Sequence, residues 1–313
     1  NGQITSQNTG IGGGPLTITS DGFVNNGIVD INADTTLITG ATGSNGAAGI
    51  INIADNKTLI LDVTTFTNDG TINLLGGGTI LDLGTVTSFV NNGIIEGMGN
   101  GVIFNVGAIS GPGTINVSPG ASPGVLTFDG DLNSAISLEA ELEGLQVGTE
   151  HDQLVVTGVA NLGSSELNVV LLNGYEPQVG DSYVILDASS ITGHFGQISG
   201  LDIANDKVLD IQYVNGDVVL TAVATTLAGS AAADTLTGSA QQDVIVAGAG
   251  NDVIDSGVAG DIIYGQAGDD VIEVSNDFTR VDGGSGIDRR VTSGIDETDG
   301  HRIDNIEVID IQN

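Results

Sequence analysis

The chain has 313 residues, with 40 Asp and Glu against 6 Lys and Arg, a formal net charge of −34 and no cysteine. A polyanion of this kind does not bind nucleic acid and offers no basic cluster to anionic lipid. Disulfides, thiolate metal sites and cysteine catalysis are excluded as well, so in an extracellular setting metal ions are the natural staples.

The glycine count of 49, with 40% hydrophobic and only 4% aromatic residues, suits a solenoid in which small aliphatic side chains stack coil on coil. No uninterrupted apolar run is long enough to span a bilayer, so membrane insertion is not expected. The chain opens at Asn1 with no signal peptide, which reads as a processed form or a fragment.

From Phe23 to Val117 a motif G-x-[IV]-[NDE]-[IVL] recurs at Gly27, Gly49, Gly70, Gly93 and Gly113, spaced by 22, 21, 23 and 20 residues. The copy at Gly93 departs at its last position, Gly97. A second apolar centre follows ten residues after the first four glycines, at Leu37, Leu59, Ile80 and Ile103. Two short strands per coil at this period predict a parallel β-helix over residues 1–124. Alternation sends Val29, Ile51, Ile72, Ile95 and Ile115 inward and Asp30, Asn52, Asn73, Glu96 and Asn116 outward. Phe23, Phe66 and Phe89 should stack inside, with Asn25, Asn68 and Asn91 in a ladder at the turn. This F-x-N-x-G-x-I pattern resembles the β-helical stalks of secreted bacterial adhesins and autotransporter passengers. Ile28, Ile50 and Ile94 form an outward row, either a lateral contact face or a surface covered by a loop or the N-terminal segment.

Residues 125–225 hold a looser register. Alternation at Ile136–Leu142, Leu154–Val156 and Leu167–Leu171 predicts inward positions in wider β-coils or a stiff spacer. The segments GASPGVLTFDGDL and EHDQLVV…SITGHF resemble the C-terminal part of autotransporter-like passengers. His151-Asp152 is the one pair here with a catalytic look, but no nucleophile elbow or third partner accompanies it.

Residues 226–313 carry the clearest signal. Asp234, Asp243, Asp252, Asp261 and Asp270 are each nine residues from the next, and Asp288 lies eighteen beyond Asp270, with Thr279 in the missing place. Gly250, Gly268 and Gly286 stand two before an aspartate, and Leu236, Ile245, Ile254, Ile263 and Ile272 two after. Glycine permits a tight turn, and a row of such turns offers hard oxygen ligands, of which Ca²⁺ takes roughly six to eight. AGAGNDVID, GQAGDDVIE and GGSGIDRRV resemble the nonapeptide of RTX (hemolysin-type calcium-binding) proteins.

The resemblance implies a parallel β-roll in which two nonapeptides make one coil. Asp252, Asp270 and Asp288 then share a column ending at Asp234, with Asp243 and Asp261 opposite. It implies Ca²⁺ between Asp252 and Asp270 and between Asp270 and Asp288. Alternate turn carbonyls complete the shells: Ala247, Ala249 and Asn251; Gly265, Ala267 and Asp269; Gly283 and Ser285. Sites at Asp234/Asp252 and Asp243/Asp261 are expected to be weaker, because GSAAAD and GSAQQD lack the second glycine pair.

Beyond the repeats, Arg290 takes an inward aliphatic position, which predicts a coil that closes differently. Ile303–Ile311 resembles the strand that ends many RTX blocks. Arg280, Arg289, Arg290 and Arg302 form either part of that end or a docking patch for an acidic neighbouring subunit.

The expected fold is thus all-β: a right-handed parallel β-helix followed by a calcium-binding RTX parallel β-roll. The expected role is an extracellular or cell-surface, calcium-stabilised structural subunit of a filament, surface layer, matrix or adhesin stalk. Its expected partner is a second copy, in a head-to-tail homo-oligomer. The alternative is a carbohydrate-binding or polysaccharide-modifying β-helix with an RTX module, its partner an extracellular polysaccharide. Right-handed β-helices do host polysaccharide lyases. Here, however, Lys57 is the sole basic residue before His151, so the usual base is missing and no enzyme is expected.

Overall fold

A computed structural model describes residues 3–6, 16–20, 22–39, 42–84, 86–97, 101–106, 109–117, 123–133, 135–204, 206–275, 278, 280–292 and 302–311. Among these, every regular element is a β-strand. The chain divides into two compact units: residues 1–176, 182–200 and 211–220, and residues 177–181, 201–210 and 221–313.

The first unit is a parallel solenoid. One sheet runs from Gln3–Ser6 through Ile28–Ile31, Ile50–Ile53, Thr71–Leu74, Ile94–Gly97 and Thr114–Val117. It continues without a break into Ser137–Leu142, Glu166–Leu171 and Gln197–Ser199. In its core Val29, Ile51, Ile72, Ile95 and Ile115 lie in register, all buried, while Asp30, Asn52, Asn73, Glu96 and Asn116 are half-exposed. The motif glycine abuts its predecessor: a methyl built on Gly93 would lie 2.0 Å from the Gly70 carbonyl oxygen, and one on Gly70 2.2 Å from that of Gly49. Close backbone approach, not a special φ, is what keeps these positions glycine.

Each early coil has three strands, not the two that the periodicity suggested. The third sheet stacks Phe23–Asn25, Thr42–Asn45, Thr65–Asn68, Ser88–Asn91 and Ile109–Ser110. Phe66 and Phe89 stack with ring centroids 5.6 Å apart. Phe23 is separated from them, because Gly43 pairs with both Phe23 and Phe66. The asparagine ladder is longer than expected, with Asn45 as an extra rung. Asn25, Asn45, Asn68 and Asn91 are buried, and each Nδ2 donates to the next Oδ1 at 2.8 Å. The same amides reach the backbone oxygens of Ile50, Thr71, Ile94 and Thr114.

The second sheet corrects one inward position. Leu81, not Ile80, aligns with Leu59 and Ile103 and is buried. Gly76-Gly77-Gly78 lengthens that turn by one residue, and a one-residue slip exchanges the faces of a strand. After Ser110 the coils widen: Leu126, Leu154 and Leu186 stack at spacings of 28 and 32 residues. Leu138, Ala140, Leu142, Leu154, Val156, Leu167 and Val169 are buried there; Leu171 is only half-buried.

The second unit contains two five-stranded parallel sheets. One stacks Leu227–Ala228, Val244–Val246, Ile262–Tyr264, Arg280–Asp282 and Arg302–Asp304. The other stacks Thr235–Thr237, Val253–Asp255, Val271–Glu273, Arg289–Thr292 and Val308–Ile311. This is a β-roll with an eighteen-residue coil, as in Val244↔Ile262 and Val253↔Val271. Its core is Leu236, Ile245, Ile254, Ile263, Ile272 and Val281, with Phe278.

The coil of Arg290 closes in the same register as the others, contrary to expectation. Arg290 is 3% exposed, between Ile272 and Ile309, with its guanidinium carbon 4.6 Å from the Phe278 ring centroid. A cation over an aromatic face replaces the missing aliphatic contact. Arg280 is equally buried, bonded to Asp282 at 3.0 Å and set against Tyr264. Arg289 pairs with Asp310. Arg280 and Arg290 are therefore held inside the roll, whereas Arg289 and its partner Asp310 remain about half exposed at the surface. Thr279 lies outside the described residues.

The asparagine ladder should be a principal stabiliser of the first unit. Asn68→Ala removes both neighbouring rungs and takes from Asn91 Oδ1 its ladder donor. Urea unfolding followed by circular dichroism should show a loss of about 2–4 kcal/mol.

Candidate metal centre

The six-residue turns of the roll are built by residues at positive φ. Gly248 and Gly250 (φ 103° and 113°), Gln266 and Gly268 (72° and 137°), and Gly284 and Gly286 (95° and 144°) occupy the same two places in successive turns. Stacked on one another, these turns run in register, with Ala249 bridged to Ala267 and Ala267 to Ser285. The Gly250 amide donates to the Ala267 carbonyl at 2.7 Å and the Gly268 amide to that of Ser285 at 2.8 Å. A carbonyl has two lone pairs, so each retains one for a further ligand.

The expected columns are present. The Asp234 amide donates to Asp252 Oδ1 at 2.7 Å, that of Asp252 to Asp270 Oδ1 at 2.8 Å, and that of Asp270 to Asp288 Oδ1 at 2.8 Å. Opposite, the Asp243 amide donates to Asp261 Oδ1 at 2.9 Å. Asn251 and Asp269 run a parallel ladder, their side chains accepting from the Asp269 and Ile287 amides at 3.0 and 2.9 Å. One member escaped the sequence reading. Glu307 ends the main column, its Oε2 accepting from the Asp288 amide at 2.7 Å.

The second oxygen of each carboxylate separates the turns into two kinds. Asp252, Asp270 and Asp288 are at most 1% exposed, and their Oδ2 atoms are buried without a hydrogen-bond donor. At the outer turns serine does the work of a ligand. The Ser230 amide and hydroxyl donate to Asp234 Oδ2 at 2.7 and 2.8 Å, and the Ser239 amide to Asp243 Oδ2 at 2.6 Å. That amide, with the Ser239 and Thr226 hydroxyls, holds the Asp243 carboxyl below its ordinary range.

A hard cation fits the inner oxygens. A methyl built on Gly265 would lie 2.4 Å from both Asp270 Oδ2 and the Gly283 carbonyl oxygen, so no more than about 5 Å separates that pair. One Ca²⁺ with bonds of roughly 2.3–2.6 Å bridges such a span. Gly283 likewise faces Asp288 Oδ2. Among the described residues no three His, Asp or Glu side chains converge as a metal-binding group. Turn carbonyls must therefore supply much of any shell, and the roll's register is what aligns them.

Without a cation the column is electrostatically strained. Successive coils stand about 4.8 Å apart, where two carboxylates repel by on the order of 3 kcal/mol at an effective dielectric of ~20. Burial first, and then the charges of Asp252 and Asp269, raise the Asp270 carboxyl above its ordinary value. Burial, with Asp270, Glu307 and Asp269 adding to it, pushes Asp288 up to about 6.

His151 and Asp152 have structural surroundings. Asp152 is fully buried and accepts from the Gly124 and Glu141 amides at 2.7 and 2.9 Å. His151 is buried edge-on to Tyr183, and desolvation lowers its pKa.

Residues 228–263 and 257–278 match the family model of the RTX calcium-binding nonapeptide repeat, in four copies. This segment therefore consists of RTX repeats, which bind calcium. The matched residues end at 278, short of the turn Gly283–Asp288 and of Glu307. No curated protein matches the chain. Among the described residues no helix is long and apolar enough to cross a membrane.

Two outcomes follow for the roll. A carboxyl raised in the folded state binds its proton more tightly there than in the unfolded chain, so the cation-free roll gains stability as pH falls from about 6 towards 4. In EDTA, thermal melts should therefore show a higher Tm at pH 4.5 than at pH 7.5, and millimolar calcium should abolish that preference. Gly265→Ala drives a methyl into the Asp270 and Gly283 oxygens and should weaken calcium binding by on the order of tenfold or more, read by titration calorimetry.

Proposed function

We propose that this chain, which carries calcium-binding RTX repeats after a parallel β-solenoid in its sequence, is an extracellular structural protein stiffened by calcium. The role that fits is a subunit of a surface filament, surface layer or matrix, or the stalk of an adhesin. The observation that carries the reading is the inner column: three buried aspartates, each with one oxygen tied into the coil above and the other left for a cation. Free calcium is millimolar outside cells and far lower inside them. Weak carbonyl-rich sites of this type belong to the former setting. Calcium then acts as a folding switch at neutral pH, favouring the ordered roll by offsetting carboxylate repulsion.

The specific ligands are Asp252, Asp270 and Asp288 with the turn carbonyls of Ala247, Ala249, Asn251, Gly265, Ala267, Asp269, Gly283 and Ser285. Asp234, Asp243 and Asp261 serve weaker sites, since serine donors already occupy the second oxygens of the first two. We propose no catalytic role. The buried Asp152 carboxylate takes two backbone amides and presents nothing to a substrate. Assembly is with further copies of the chain, for which the net charge of −34 makes calcium a precondition.

Chelation tests this reading. On adding EDTA at pH 7.5 the β-signal of the roll should fall, and electron micrographs should lose any ordered assembly seen in calcium. Unchanged circular dichroism and unchanged particles in EDTA would contradict the switch.

A further inference from the structure

The carboxylate column does not stop where the nonapeptides stop. Between the paired strands Asp282↔Asp304 and Arg289↔Val308, the upper coil spends six residues on its turn, Gly283 to Asp288. The lower coil spends only three: Asn305, Ile306 and Glu307. Such a shortened turn should have lost the ligand geometry, yet it keeps both ends of it.

At its first position the Asn305 carbonyl oxygen lies 2.1 Å from a methyl built on Gly283, just as the Gly283 oxygen lies 2.4 Å from one built on Gly265. At its last position Glu307 Oε2 accepts the Asp288 amide, the bond that Asp288 Oδ1 makes to Asp270 one coil earlier. Glutamate's extra methylene compensates for the missing backbone. Asn305 is held by its left-handed φ of 49° and by its Nδ2, which donates to Asp282 Oδ1 at 2.8 Å.

Asp288 Oδ2 supplies an independent indication. It belongs to a fully buried side chain, has no hydrogen-bond donor, and lies 2.7 Å from that same methyl position on Gly283. It and the Asn305 oxygen are thus within about 5 Å of each other, a span one hard cation bridges.

We propose that Asp288, Glu307 and the carbonyl of Asn305 form a further divalent-cation site, for Ca²⁺, at the C-terminal end of the column. The site rests on the calcium reading of the inner column and extends it to residues outside the matched repeats. Glu307 is exposed, so water completes the shell and the ion exchanges faster here than between Asp252 and Asp270. Filling it ties the last coil to the roll through an ion as well as through strand hydrogen bonds.

Calcium counting on the full chain tests the proposal. Native mass spectrometry and equilibrium dialysis should give one fewer Ca²⁺ for Glu307→Gln than for the unsubstituted chain. Glutamine still accepts the Asp288 amide, so the coil is retained. Equal stoichiometry and affinity in the two proteins would overturn the terminal site while leaving the inner column standing. No calcium on the unsubstituted chain would instead overturn the underlying reading. A second measurement avoids the substitution: amide NMR resonances of Asn305 and Glu307 should shift with calcium, and resonances that stay fixed while those of Asp252 and Asp270 move would also overturn the site.

Discussion

A carboxylate can accept hydrogen bonds but cannot donate them, and the roll is organised around that asymmetry. Stacking aspartate on aspartate puts the backbone amide of one coil on the first oxygen of the next. The second oxygen then has no donor left. Burial removes water as a substitute, and the neighbouring charges above and below add repulsion. At neutral pH a cation answers all three conditions at once, so the need for calcium follows from the register rather than from any single residue.

The first unit offers a neutral counterpart. Its ladder of Asn25, Asn45, Asn68 and Asn91 also stacks identical positions at coil spacing. A primary amide carries both donor and acceptor, so the ladder closes on itself and asks for nothing from solution. The same stacking geometry therefore yields a self-sufficient solenoid with amides and an ion-dependent one with carboxylates. Stability in the two units should answer to different variables: sequence alone in the first, sequence and calcium in the second.

Much of this was legible in the sequence because a parallel coil maps period directly onto space. The nine-residue frame of aspartates gave the columns, and the in-phase aliphatics gave the core of the roll. What escaped were places where the period changes. Gly76-Gly77-Gly78 added a residue and shifted the inward position from Ile80 to Leu81. Asn45 was hidden because Gly43 replaces the phenylalanine that marks the other rungs. Glu307 was invisible because a three-residue turn and a longer side chain reproduce a ligand that the motif expects from aspartate after six. Arg290 looked like a break in the core, and the ring of Phe278, a position the aspartate frame does not mark, explains how it is accommodated. The serines that satisfy Asp234 and Asp243 were readable as GSAAAD and GSAQQD, but their meaning depends on a hydrogen bond that spacing does not reveal.

The central claim concerns the second oxygens of three aspartates. A crystal structure from calcium-containing solution, with anomalous differences measured at long wavelength, tests it most directly. Calcium peaks about 2.3–2.6 Å from Oδ2 of Asp252, Asp270 and Asp288 are the predicted result. Ordered water there, without anomalous signal at saturating calcium, would contradict the account.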